Sequence, residues 1–160
     1  MKFCTAIFFC TIFFPGFAEA RDLGNRLGIG YTTQIALKND KAIPALSGKY
    51  HFSKRNALSF AAGFDTQSND NALVLGMKYF RNVFGEKMLN FYTGAGLAFV
   101  SHGGTRFQPS LFFGSEFFFE QLPSLGLTFE AGLRADNRSG SFAIETTGDS
   151  FLTGGIHFYF

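Results

Sequence analysis

Residues 27–37 read LGIGYTTQIAL, and every second one (Leu27, Ile29, Tyr31, Thr33, Ile35, Leu37) is apolar or tolerant of lipid. The residues between them, Gly28, Gly30, Thr32, Gln34 and Ala36, are small or polar. Side chains alternate across a strand and not across a helix, so this period of two predicts a β-strand with one greasy face. The same reading places Leu46, Gly48, Tyr50 and Phe52 opposite Ser47, Lys49 and His51. It then places Leu58, Phe60, Ala62 and Phe64 opposite Ser59, Ala61, Gly63 and Asp65.

Three segments repeat one another: SGKYHFSKRNALSFAAGF (47–64), GMKYFRNVFGEKMLNFYTGAGL (76–97) and GSEFFFEQLPSLGLTFEAGL (114–133). Each runs from a small residue to a charge two positions on, then aromatics, a turn, and a returning strand that opens Leu-polar-Phe. A hairpin repeated in sequence is a hairpin repeated in space. GGIHFYF (154–160) matches the first half of a fourth copy. Eight strands follow, at about 26–37, 45–53, 57–66, 72–81, 89–100, 107–119, 127–136 and 151–160. An even number of strands on short connections forms an up-and-down antiparallel meander, and pairing of the first with the last leaves no open edge.

Volume decides which face points inward. An eight-stranded barrel has an interior just wide enough for side chains or one small ligand. Phe52, Phe60, Phe64, Phe91, Phe99, Phe113, Phe117, Phe119, Phe129, Phe158 and Phe160 would overfill it. The other face carries glycines and alanines with Lys49, Lys78, Glu116, Glu130 and Arg134. Basic side chains at the midplane of a bilayer cost about 2–4 kcal/mol each, so the charges go inside and the phenylalanines meet lipid. The fold class expected is an all-β, eight-stranded transmembrane β-barrel.

The start of the chain fits export. Lys2 precedes an apolar stretch, 3–17, and Ala18-Glu19-Ala20 puts small residues where a signal peptidase cuts. Residues 1–20 are read as a cleaved signal peptide and 21–160 as one barrel domain. Both cysteines, Cys4 and Cys10, fall in the signal, which leaves no disulfide framework. A net charge of +2 without a basic run excludes a nucleic-acid partner.

On these features the chain resembles the small eight-stranded outer-membrane β-barrels of Gram-negative bacteria, the OmpA/OmpX-like superfamily. The resemblance spans the mature chain and is strongest at its end, where Leu152, Gly154, Ile156, Phe158 and Phe160 alternate outward and finish on Phe. It implies an outer-membrane location, lipid as the surrounding partner, and a C-terminal signal (Leu152, Ile156, Phe158, Phe160) for the assembly machinery. Trp is absent, so an interfacial girdle falls to Tyr31, Tyr50 and Tyr79.

The repeats set Lys49, Lys78, Glu116 and His157 at similar depth in the lumen, with Glu130 and Arg134 on a neighbouring strand. Opposite charges in so narrow a space are expected to pair as a plug, with Glu116 facing both lysines; an ion or proton path is the competing use. No enzyme activity, cofactor or metal is expected. His51, His102 and His157 lack metal-ligand spacing. The lipid A deacylase family resembles this chain in size but carries His-x-Ser where Arg134-Ala135-Asp136-Asn137 stands here. Ser101-His102-Gly103-Gly104 is the other nucleophile-like stretch. The function expected is a structural or surface-interaction role, with binding of a small apolar ligand or lipid as the alternative and transport through the lumen third. Phe142 and Ile144, apolar in the outer segment 137–150, either mark the contact site for a surface partner or extend the last hairpin above the membrane, with Glu145 in a wet loop beside them.

Overall fold

The computed structural model describes residues 22–35, 37–38, 41–66, 71–101, 104–138, 141–147 and 153–160. Eleven strands run in chain order: β1 (Leu27–Thr32), β2 (Leu37–Lys38), β3 (Lys41–Ala42), β4 (Ala45–His51), β5 (Asn56–Asp65), β6 (Ala72–Glu86), β7 (Leu89–Ser101), β8 (Thr105–Phe118), β9 (Leu125–Arg138), β10 (Ser141–Thr146) and β11 (Thr153–Tyr159). Every pairing is antiparallel, and the described residues contain no helix. β1, β4, β5, β6, β7, β8, β9 and β11 pair in that order and β11 returns to β1, which closes an eight-stranded barrel. Followed from Ile29 through Gly48, Phe60, Met77, Leu97 and Pro109 and on through β9 and β11, the register climbs. One circuit returns to β1 about ten residues further along, the stagger of tilted strands.

Two sequence expectations change and one open alternative is settled. The first strand does not reach residue 37: pairing with β11 ends as Thr33 N–H donates to the Gly154 carbonyl, and the chain turns into the barrel. Ile35 is therefore 5 % exposed and not on the outer face. It packs with Ile43 against Ala45, Ala61, Ala72, Val74, Ala98 and Val100. Those small residues and Gly76 leave a depression that two isoleucines fill; a Cβ on Gly76 would meet Ile35 Cγ2 at 2.2 Å. Secondly, of the two readings of segment 137–150, the described residues show the extended hairpin. β9 runs on to Arg138, and β10 returns against its outer half from Ser141↔Arg138 to Thr146↔Leu133. Since β11 begins at Thr153↔Glu130, β10 and β11 together are the eighth strand in two pieces. Thirdly, β6 and β7 extend past the expected turn at 81–88 into a longer hairpin with an irregularity between Asn82 and Phe84.

At the rim that holds both chain ends of the barrel, Leu23 is fully buried against Phe118 and Tyr159, with Met88 beside them. Asn25 N–H donates to the His51 carbonyl and His51 N–H to that of Arg26, which ties this stopper to β4. Asp22 receives the Gly24 N–H and the Lys54 ammonium, and the hydrogen bond from Lys54 holds its carboxyl below its ordinary value. A middle layer of Ala57, Phe80, Tyr92 and Phe112 fills the interior between this stopper and the isoleucines.

Candidate functional site: the charged lumen

The inward positions hold the charges. Lys49, Lys78, Glu116, Glu130, Arg134 and His157 are all nearly inaccessible. They do not form one mixed cluster. Lys49 Nζ lies 3.0 Å from Glu116 Oε2, and Tyr159 donates its hydroxyl to the other oxygen of that carboxylate. Lys78 pairs with Glu130, which also accepts from the Tyr92 hydroxyl at 3.3 Å. The expectation that Glu116 serves both lysines is thus replaced by two lysine–glutamate–tyrosine triads. Each ammonium also sits over aromatic faces: Lys49 at 4.6 Å from Phe80 and 5.1 Å from Tyr92, Lys78 at 4.4 Å from Phe112. Carboxylate and ring quadrupole together replace the water each ammonium has lost.

Glycine makes this packing geometrically possible. Gly28 stands between Lys49 on one side and Tyr159 on the other, and the Tyr159 ring lies where its Cβ would be, 2.6 Å away. Gly30 stands between Ser47 and His157 in the same way, and across it Ser47 Oγ and His157 Nε2 meet at 2.7 Å. A Cβ on Gly96 would crowd Lys78 Cγ, and one on Gly114 would crowd Tyr92 Oη and Glu130 Cγ. The small inward residues read from the sequence are therefore the seats of the large ones.

Towards the other rim the network continues. Arg134 donates to Gln108 Oε1 at 3.2 Å; Gln108 Nε2 and Arg106 Nη1 both reach Asp136 Oδ2 at 3.2 Å. Glu145, expected in water, lies on β10 directly opposite Arg134, half-buried on the inward face. Among the described residues, Lys49, Lys78, Arg106 and Arg134 thus lie among Glu116, Glu130, Asp136 and Glu145, with Asp65 of β5 a further half-buried carboxylate on the inward face.

Sequence reasoning missed Leu23, Arg106, Gln108 and the stoppers Ile35 and Ile43. Gln108, eight positions from Glu116 on β8, and Asp136, two from Arg134 on β9, fall on the inward parity and were legible by extending the alternation. His51 is also inward, its ring set edge-on to Tyr159 at 5.5 Å, with neither nitrogen bonded to a described residue. The Ser47–His157 contact is the nearest thing to a nucleophile and base among the described residues, where His157 Nδ1 has no hydrogen-bond partner; in activated pairs a third group typically orients the base. His102 and Gly103 lie outside the described residues, as do Leu152 and residues 1–20, where a signal peptide is expected. Among the described residues no three His, Cys, Asp or Glu side chains gather as a metal site.

The remaining candidates lie on the outer wall. Phe142 and Ile144 point outward from β10 and are largely exposed. Ile156, Phe158 and Phe160 also point outward, Phe158 and Phe160 ring to ring at 5.4 Å. Phe160 N–H donates to the Leu27 carbonyl, so the last residue is tied to the first strand of the barrel.

Compared with known proteins, the chain matches no protein-family model and no curated sequence.

Proposed function

We propose that this chain is an exported outer-membrane β-barrel with a filled lumen, structural or surface-interacting in role and not catalytic. The observation that supports it is the inversion of polarity across the wall. Lys49, Lys78, Glu116, Glu130, Arg134 and Asp136 are buried, while Leu46, Phe60, Phe64, Leu111, Phe113 and Ile144 are among the exposed residues. Monomers in water rarely expose contiguous apolar patches above a few hundred Å², whereas a bilayer requires a continuous apolar band and satisfied backbone, as in a closed barrel. The surrounding partner is outer-membrane lipid. The alternating end of the chain, Ile156, Phe158 and Phe160, presents itself to the assembly machinery, and Phe142 and Ile144 offer the contact for a surface partner.

The alternative role, binding of an apolar ligand, finds its footing outside the barrel. A depression of about 710 Å³ lies on the outer wall, floored by Gly48 and Ala62 and walled by Ile29, Leu46, Phe60 and Met77. That shape suits hydrocarbon chains of the bilayer.

Planar-bilayer recording tests the filled lumen. The refolded protein gives no large, steady conductance; reproducible porin-sized steps would contradict it.

A further inference from the structure

We infer that the outer wall carries a binding site for the phosphate of an anionic glycerophospholipid headgroup, built on Arg55, Asn56 and Arg81. It rests on the membrane reading above and adds a ligand to it.

Among the described strand residues, the outward face holds two charges: Glu86 at the tip of the β6–β7 hairpin, and Arg81. Arg81 is paired with Asn56, the first residue of β5, so it sits at the rim of the barrel wall, where headgroups begin. Its flanks are aromatic. Tyr79 lies two residues towards the middle of the wall, and Phe84, stacked on Phe91 at 4.2 Å, lies beyond the irregularity. Arg55, exposed in the bend before β5, accepts the Asn82 N–H on its carbonyl at 2.7 Å, which brings its backbone beside that of Arg81 at the same rim. Both arginines are exposed, and neither has a side-chain partner among the described residues. The acids nearby are engaged: Asp22 with Lys54 at 2.8 Å, Glu120 with Lys87 at 3.2 Å. Glu86 lies five positions from Arg81.

A guanidinium on a lipid-facing wall turns its charge to the interface and takes a phosphate in a bidentate grip. Asn56 Oδ1 accepts the Tyr79 hydroxyl at 2.7 Å while its Nδ2 donates to Ser53, which fixes the polar floor between the arginines. Tyr79 and Met77, on the side of Arg81 towards the middle of the wall, then lie where glycerol and the first acyl carbons would rest. A zwitterionic headgroup meets the same arginines with its own cation and gains less, so the site prefers a lipid of net negative charge.

Native mass spectrometry of the refolded protein, released from detergent containing equal phosphatidylglycerol and phosphatidylcholine, tests this. Wild type retains phosphatidylglycerol preferentially; Arg81→Gln and Arg55→Gln each weaken retention about fivefold, the worth of one basic contact at a membrane surface. Arg81→Lys falls between, because a point charge cannot grip two oxygens. Lys87→Gln, an equal loss of charge at the same rim, changes nothing. Equal retention of both lipids, or an equal loss in Lys87→Gln, overturns the site. Displacement of phosphatidylglycerol by millimolar inorganic phosphate would overturn the lipid as its source. The same samples are offered to phosphatidylcholine vesicles: failure to insert defeats the membrane reading, whereas insertion without lipid preference defeats this site alone.

Discussion

Gly30 of β1 and Ile156 of β11 approach so closely that a Cβ on Gly30 would stand 1.9 Å from the Ile156 carbonyl oxygen. The obstacle is backbone, and the two strands it joins are the first and last of the barrel. Gly30→Ala is thus expected to impair closure itself, with a loss of stability at or beyond the upper end of the 1–3 kcal/mol typical of overpacking, about 3 kcal/mol. Gly48 faces outward, and its Cβ would meet nothing nearer than the Gly28 carbonyl oxygen at 4.0 Å. Gly48→Ala should stay within about 0.5 kcal/mol. Urea unfolding of both variants in detergent checks the contrast.

The pairing of the lumen charges predicts which mutations couple. Removing one partner of a buried pair costs about 3–5 kcal/mol because the other charge is stranded, whereas removing both is much milder. Double-mutant cycles should give strong coupling for Lys49 with Glu116 and for Lys78 with Glu130, and weak coupling for Lys78 with Glu116. Equal coupling of Glu116 to both lysines would restore a shared cluster. Glu145→Ala, opposite Arg134 on a half-buried face, should cost more than a surface change and less than Glu116→Ala.

Ile35 is a core residue despite its place in an outward-reading pattern. Ile35→Ala should destabilise by about 2–5 kcal/mol, the range for large-to-small core changes. Leu46→Ala, on the outer wall, exchanges one lipid contact for another and should cost far less in detergent. Equal midpoints would mean that the chain after Thr33 does not enter the lumen.

Phe160 separates packing from assembly. Its ring is mostly exposed on the outer wall while its N–H is bonded to Leu27, so Phe160→Ser should refold in detergent with only a modest loss of stability. In cells its outer-membrane level should fall sharply if the alternating end is read by the assembly machinery. Normal levels in cells would reduce the ring to a lipid contact.

The barrel was legible because period two, the repeated hairpins and the volume of the phenylalanines all pointed one way. Where the reading failed, the local pattern was obeyed and a longer-range contact overrode it. Thr33, Ile35 and Leu37 continue the alternation of β1 faithfully, but the hole left by Ala61, Gly76 and Ala98 lies two to four strands away and is invisible to periodicity. For Phe142 and Ile144 the alternation left a loop contact and an extended hairpin both open, and the pairing of β10 with β9 is the extended hairpin. Which lysine pairs with which glutamate depends on the tilt of the strands, which composition does not encode. A one-residue change of register would exchange every inward and outward side chain, so the interior charges depend on a register that sequence spacing alone left approximate.

The central claim is that the apolar face of this barrel meets lipid, and fractionation of expressing cells tests it most directly. The protein should sediment with outer membranes, stay there through a urea wash, and migrate differently on gels when boiled and unboiled. Recovery as a soluble periplasmic protein, with the same mobility before and after boiling, would contradict it.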